Sequence, residues 1–184
     1  MSQSNIFLDI GNSAVKWRTI ESDVYSRNVD EFLISTLPQA DSAWVSAVAN
    51  LDIVEDIKSL FKEFHLVDSQ KKCNNLVVAY DNPSSLGSDR FLAMLGAMNQ
   101  FSKKPSLVID IGSAMTFDVI NEDGYHQGGL IMPGLEALRK SFSKFEMTDV
   151  STNVDGLANN TKDAWKSGTQ VMLLSSINSQ IEKF

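Results

Sequence analysis

The stretch LDIGNSAVKW, Leu8 to Trp17, runs an apolar segment into an acid, a glycine and an amide, and VIDIGSAMTF, Val108 to Phe117, repeats the arrangement. A glycine directly after a strand lets the chain turn tightly with its N–H groups exposed, and such amides cradle phosphate oxygens. Asn12 and Ser13 in the first copy, and Ser113 in the second, add side-chain donors. Lys16 adds a point charge able to reach a phosphate. Asp9 and Asp110, at the strand ends, can hold a cation or order its water shell. Either turn alone reads equally as an ordinary turn with solvated acids, since short glycine motifs are common. The same device twice, in matching strand context, favours phosphate handling.

Around the first copy, Ile6 to Ile10 reads as a buried strand and Ala14 to Ile20 as its hairpin partner. Asp30 is placed to cap a short helix through Leu37, closed by Pro38. Ala43 to Val48 is a third strand. In DIVEDIKSLFKEF the residues Ile53, Val54, Ile57, Leu60, Phe61 and Phe64 follow helical spacing. Leu76 to Tyr80 is β-prone, and Phe91, Met94, Leu95, Met98 and Phe101 mark a helix stopped before Pro105. The pattern then restarts. Leu107 to Ile111 and Ala114 to Ile120 form a second hairpin, followed by a turn at Asn121 to Gly124 and a strand from Tyr125 to Ile131. Leu135, Leu138, Phe142 and Phe145 suggest a helix, STNVDGLANN a loop, and Thr161 the cap of a helix running toward the C-terminus. Strands alternating with helices indicate an α/β protein. The repeat indicates two related hairpin-led subdomains, 1–104 and 105–184, with a ligand cleft between them.

The 184 residues are 43% hydrophobic and 21% charged, an ordinary globular composition with enough chain for a real core. A formal charge of −7 argues against nucleic acid or an anionic membrane surface as partner. Cys73 is the single cysteine, which excludes an intramolecular disulfide and fits a reducing cytoplasm. His65 and His126 have no neighbours at zinc-ligand spacing. The N-terminus lacks a basic region followed by an apolar run, and no apolar stretch approaches the roughly 20 residues of a membrane span.

Two further segments bear on chemistry. LGSDRF, Leu86 to Phe91, places an Asp-Arg pair where a glycine loop enters a helix. Ser88 or Asp89 can simply cap that helix. Alternatively Asp89 is a general base for a substrate hydroxyl, and Arg90 clamps a carboxylate bidentately, with Tyr80 lining the same pocket. GGLIMPGL, Gly128 to Leu135, pairs two glycines with a Pro-Gly turn into a helix.

DIGNSAVK, YDNPSSLGSDRF, DIGSAMTFDVI with GGLIMPG, and NNTKDAWKSG occur in that order across nearly the whole chain. Together they resemble the motifs of the type III pantothenate kinases, of the actin, sugar kinase and Hsp70 ATPase superfamily. The resemblance implies a duplicated actin-like (ribonuclease H-like) ATPase fold, with two subdomains flanking a nucleotide cleft. It implies ATP-dependent phosphorylation of pantothenate to 4′-phosphopantothenate, the first step of coenzyme A biosynthesis. By position, Asp9, Gly11, Asn12, Ser13 and Lys16 would handle the ATP phosphates, with Asp9 on Mg²⁺ through water, and Ser113 would bind the nucleotide. Asp89 would be the base. Tyr80, Gly87, Ser88, Asp89, Arg90 and Thr161 would bind pantothenate, and Asp110 a monovalent cation, K⁺ or NH₄⁺.

Phe91 stands where the family usually has Trp, and Ser113 where it has Thr. Family chains continue past the equivalent of the last helix into a strand and a Thr-Gly-Gly turn; this sequence stops at Phe184, leaving a fragment, a shortened form or a degenerate paralogue as open readings. A cytoplasmic homodimer is expected, from the family and from the apolar residues Leu135, Leu138, Phe142, Phe145, Trp165, Val171, Met172 and Ile181. The rival reading is a non-catalytic, accessory-factor-like regulatory paralogue on the same scaffold. A sugar or acetate kinase is disfavoured by the Leu-Gly-x-Asp-Arg segment.

Overall fold

The computed structural model describes residues 4–101, 103–142, 153 and 156–184. The chain divides into two compact units, Met1–Gly96 and Ala97–Phe184. The division falls inside a helix, a few residues before the expected boundary at 104.

The first unit is built on a five-stranded sheet of β1 (Asn5–Ile10), β2 (Ala14–Thr19), β3 (Tyr25–Asn28), β4 (Ser42–Ala47) and β5 (Glu63–Leu66), in the order β3-β2-β1-β4-β5. β1 pairs antiparallel with β2 and parallel with β4, and β4 pairs parallel with β5. Strand alternation sorts the residues onto two faces. Ile6, Leu8, Ile10, Val15, Trp17, Ala43 and Val45 point to one face and form the core with Val54, Ile57 and Phe61. The opposite face carries Phe7, Asp9, Lys16, Trp44 and Ser46.

Several expectations here need correction. The helix α1 (Leu51–Lys58) is eight residues long and does not reach Phe64. Phe64 instead lies in β5 opposite Ala43, because parallel pairing with β4 supplies ladder hydrogen bonds that a longer helix would forgo. The expected helix from Asp30 to Leu37 is replaced by two short 3-10 turns, Val29–Glu31 and Ile34–Thr36. Its apolar residues Val29, Phe32, Ile34 and Leu37 still pack on the core. β3 was not expected: all four of its residues are exposed at the sheet edge, so it carries no apolar alternation. The strand from Leu76 to Tyr80 shrinks to β7 (Leu76–Val77), paired with β6 (Lys72–Cys73) around Asn74 at φ 51°. α2 (Ser88–Gln100) matches the expected helix, and a 3-10 turn, Pro83–Ser85, precedes it.

The second unit holds an antiparallel sheet of β8 (Ser106–Ile111), β9 (Ala114–Ile120) and β10 (His126–Pro133), in the order β10-β9-β8. Asn121 makes the turn between β9 and β10, its Oδ1 accepting from the Asp123 and Tyr125 N–H groups at 3.1 and 2.8 Å. A bulge between His126 and Gly128 follows, at a backbone φ of +105° that only glycine adopts without strain. α3 (Leu135–Lys140) and α4 (Thr161–Lys183) complete the unit, with Leu135, Leu138, Leu173 and Ile177 packed on Met115 and Phe117.

Arg139 is completely buried and joins α3 to α4. Its Nε donates to Thr169 Oγ1 at 3.4 Å, one terminal nitrogen donates to Asn153 Oδ1 and the Lys166 carbonyl, each at 3.4 Å, and Trp165 Nε1 donates back to the Arg139 carbonyl at 3.0 Å. Phe142 lies against Trp165, and Phe145 is outside the described residues. The cap of α4 is Asn160 rather than Thr161. Asn160 Oδ1 accepts from the Asp163 N–H at 3.0 Å, while its amide donates to Asp163 Oδ2 at 2.8 Å. Thr161 is instead the first residue inside the helix, so Asn160 occupies the capping position. Among the described residues no helix is long and apolar enough to cross a membrane.

Candidate functional site

The first Asp-Ile-Gly turn closes when the Gly11 N–H donates to the Ala14 carbonyl at 3.0 Å, leaving Asn12 and Ser13 exposed at the tip. Asp9 sits one residue before the end of β1, and the register places Lys16 beside it on β2 and Ser46 beside it on β4. Residues paired across strands share a sheet face, so Lys16, Asp9 and Ser46 form one polar row. Lys16 Nζ lies 4.0 Å from Asp9 Oδ2, and both side chains are about half exposed. A solvated pair at that distance is weakly held, so the lysine can turn to an incoming anion.

The row continues through Ser46. Its hydroxyl lies 3.0 Å from that of Ser88, the first residue of α2, and both residues are buried. Ser46 was not singled out in the sequence, where it looks like one more small residue in a strand. Its signal is the alternation of Ser42, Trp44 and Ser46, which marks a second, non-core face. The helix begins as the Phe91 N–H bonds to the Gly87 carbonyl at 3.1 Å. Asp89 lies in its first turn, and Asp89 Oδ1 accepts from the Arg90 N–H at 2.7 Å. A side chain at Gly87 would collide with that carboxylate oxygen and press on Val48. A larger residue there would force the Asp89 carboxylate to move.

Arg90 is buried, and its guanidinium donates to the Tyr80 hydroxyl at 3.1 Å while lying 5.8 Å from the centre of that ring. Tyr80 thus helps to hold the planar guanidinium in one orientation. The loop between them is fastened from outside. Buried Ser69 donates to the Leu86 carbonyl at 2.8 Å, and Lys71 donates to the Tyr80 carbonyl at 3.0 Å. Within the first unit the fold therefore gathers Asp9, Lys16, Tyr80, Gly87, Ser88, Asp89 and Arg90 around one sheet face and one helix start.

In the second unit, Asp110 is exposed near the end of β8, opposite buried Thr116. The turn after it is one residue shorter than the first. Gly112 N–H donates to the Ala114 carbonyl at 2.8 Å, and Ser113 is exposed. Gly134, from the Pro-Gly segment, donates its N–H to the Ser113 carbonyl at 3.0 Å, and a Cβ there would collide with the Gly112 and Ser113 carbonyl oxygens. The glycine pressed against this turn explains why the GGLIMPGL segment belongs with it. Thr161 is exposed at the start of α4. On the sheet face shared with Asp110 and Thr116 lies a pair that sequence reasoning missed. His126 Nε2 and Asp118 Oδ1 are 2.9 Å apart, with both side chains almost wholly buried.

The family model for type III pantothenate kinases matches residues 5–183. A type III pantothenate kinase from Dichelobacter nodosus is 35% identical over 146 residues, covering 71% of this chain and 59% of the relative. One from Xanthomonas campestris pv. campestris is 31% identical over 180 residues, covering 90% of this chain and 73% of the relative. The match spans just under three-fifths of the length of the relatives from Dichelobacter nodosus and Colwellia psychrerythraea. A solved structure from Campylobacter jejuni, assigned by its description to the Baf family of transcriptional activators, superposes with a TM-score of 0.59 at 24% identity, over 95% of this chain and 78% of that one. At that identity the likeness concerns the fold alone.

Proposed function

Because the chain belongs to the type III pantothenate kinase family, we propose that it transfers the γ-phosphoryl group of ATP to pantothenate, giving ADP and 4′-phosphopantothenate at the entry to coenzyme A biosynthesis. The observation that carries this reading is the row Lys16–Asp9–Ser46 joined through Ser88 to Asp89 and Arg90. It supports the reading because it links the Asp-Ile-Gly turn and Asp89 through one strand row and one buried hydrogen bond. Catalysis of phosphoryl transfer is mainly positioning and charge stabilisation, which such a framework provides.

In this reading the Gly11–Ser13 turn and Lys16 hold the phosphates, and Ser113 holds the nucleotide from its own unit. Arg90 and Tyr80 bind the pantothenate carboxylate, with Gly87 and Ser88 as further substrate contacts of the first unit, and Thr161 is assigned to the same substrate by its place in the family motif alone. Asp89 accepts the proton of the substrate hydroxyl as its oxygen bonds to the γ-phosphorus and the bond to ADP breaks. Mg²⁺ bound with ATP supplies neutralising charge. The donors present suit it: Asp9 beside a phosphate turn fits an ion held mainly by phosphates and water. Asp110 is assigned to a monovalent cation, K⁺ or NH₄⁺. The two Asp-Ile-Gly hairpins are read as the matching halves of a duplicated actin-like fold, and the working compartment as the cytoplasm.

The test is a coupled ADP-release assay with ATP and pantothenate, in K⁺ and in Na⁺. Turnover that requires pantothenate, favours K⁺ and falls roughly 10²–10⁴-fold in Asp89→Asn is the expected result. Parent protein without pantothenate-dependent ADP release would overturn the reading.

A further inference from the structure

We propose that Asn50 is a positioning residue for the nucleotide, one that fixes which way the first phosphate turn aims its backbone donors. The inference rests on the phosphate-handling reading of that turn. Asn50 ends the segment after β4 and precedes α1, and it has φ 51° and ψ 49°, the left-handed region that a side chain other than glycine occupies at a cost. Its carbonyl accepts the Ile53 N–H at 3.0 Å, so its backbone starts the helix. Its side chain does not cap that helix. The Asn50 amide instead donates to the Gly11 carbonyl at 2.7 Å, 39 residues away in sequence.

That bond has a directional consequence. The described residues include no cis peptide bond, and in a trans peptide the C=O and the following N–H point in opposite directions. Holding the Gly11 carbonyl toward Asn50 therefore turns the Asn12 N–H the other way, away from Asn50. The Gly11 N–H is already committed to the Ala14 carbonyl, and the Ser13 carbonyl is held by the Val29 N–H at 3.0 Å. With those groups fixed, Asn50 sets the Gly11–Asn12 peptide. In the second turn the Gly134 N–H holds the Ser113 carbonyl, the counterpart of the Val29 bond to Ser13 in the first. An anion site whose donors are fixed in advance loses less entropy on binding than one whose peptide must first rotate.

Asn50→Gly keeps the left-handed backbone and removes the amide donor, and Asn50→Asp keeps the side-chain shape while placing an acceptor against a carbonyl. Isothermal titration of each with ADP and Mg²⁺ reads nucleotide affinity, and the pantothenate KM reads the substrate side. Asn50→Gly should weaken ADP affinity about three- to tenfold, and Asn50→Asp by more, with the pantothenate KM unchanged. A purely structural role would lower the melting temperature of both variants and leave their ADP affinity at the parent value, which would overturn the proposal. Parent protein that binds ADP but does not phosphorylate pantothenate would refute the functional reading and leave this inference standing. Parent protein that does not bind ADP would refute both.

Discussion

The hydroxyls of Ser46 and Ser88 lie 3.0 Å apart in a buried contact between a central strand and the first residue of a helix. Ser46 is in register with Asp9, and Ser88 adjoins Asp89. One hydrogen bond thus ties the strand row of the phosphate motif to the helix bearing the substrate motif. If it sets the distance between them, Ser46→Ala and Ser88→Ala should each reduce kcat by about tenfold, and the double variant should lose little more than either single one. The kcat values of a double-mutant cycle check this, and strict additivity would count against the coupling.

Gly134 has φ −71° and ψ 174°, a conformation open to any residue, so its only special property is lack of a side chain. Gly134→Ala drives a methyl group into the Gly112 and Ser113 carbonyl oxygens. It should destabilise the protein by about 1–3 kcal/mol, measured by urea unfolding. Gly96 lies in α2, and a Cβ there meets nothing within 4 Å. Gly96→Ala should therefore stabilise by up to about 1 kcal/mol.

Acid stability should depend on Asp41. A hydrogen bond from Lys62, at 2.6 Å, and bonds from Ser4 lower its carboxyl from 3.8 to about 2. The folded state then releases this proton at a lower pH than the unfolded state does. Its stabilising contribution is complete above the unfolded value and is lost as pH falls toward 2. Asp41→Asn should be less stable than the parent at pH 6, and the gap should close between about pH 4 and 2, as read by thermal melts.

Along α4 the residues Val171, Met172, Leu174 and Ile181 each remain about half exposed. Val171, Leu174 and Ile181, three and seven residues apart in turn, share one side of the helix, and we propose that a second copy covers it. Sedimentation at micromolar concentration should give about twice 20.3 kDa. Leu174→Glu with Val171→Glu should shift the species toward monomer, and a parent that sediments as monomer would rule the face out.

The sequence by itself determined the elements whose cause is local. Both Asp-Ile-Gly hairpins form because a glycine turn follows a short apolar run, and α2 begins at Ser88 because a glycine loop meets a helical apolar pattern. The side chains brought together at that helix start were also legible, since Tyr80, Gly87, Asp89 and Arg90 lie close in the chain. Partners distant in sequence were decided by tertiary structure. Phe64 continues a helical spacing, yet pairing with Ala43 in a parallel ladder outweighs that weak local preference. Nothing near Asn50 signals that its amide holds a carbonyl 39 residues earlier, and nothing near Ser46 signals Ser88. Buried polar groups such as Arg139 and the Asp118–His126 pair require partners that other elements supply, so they become visible only once those elements are in place.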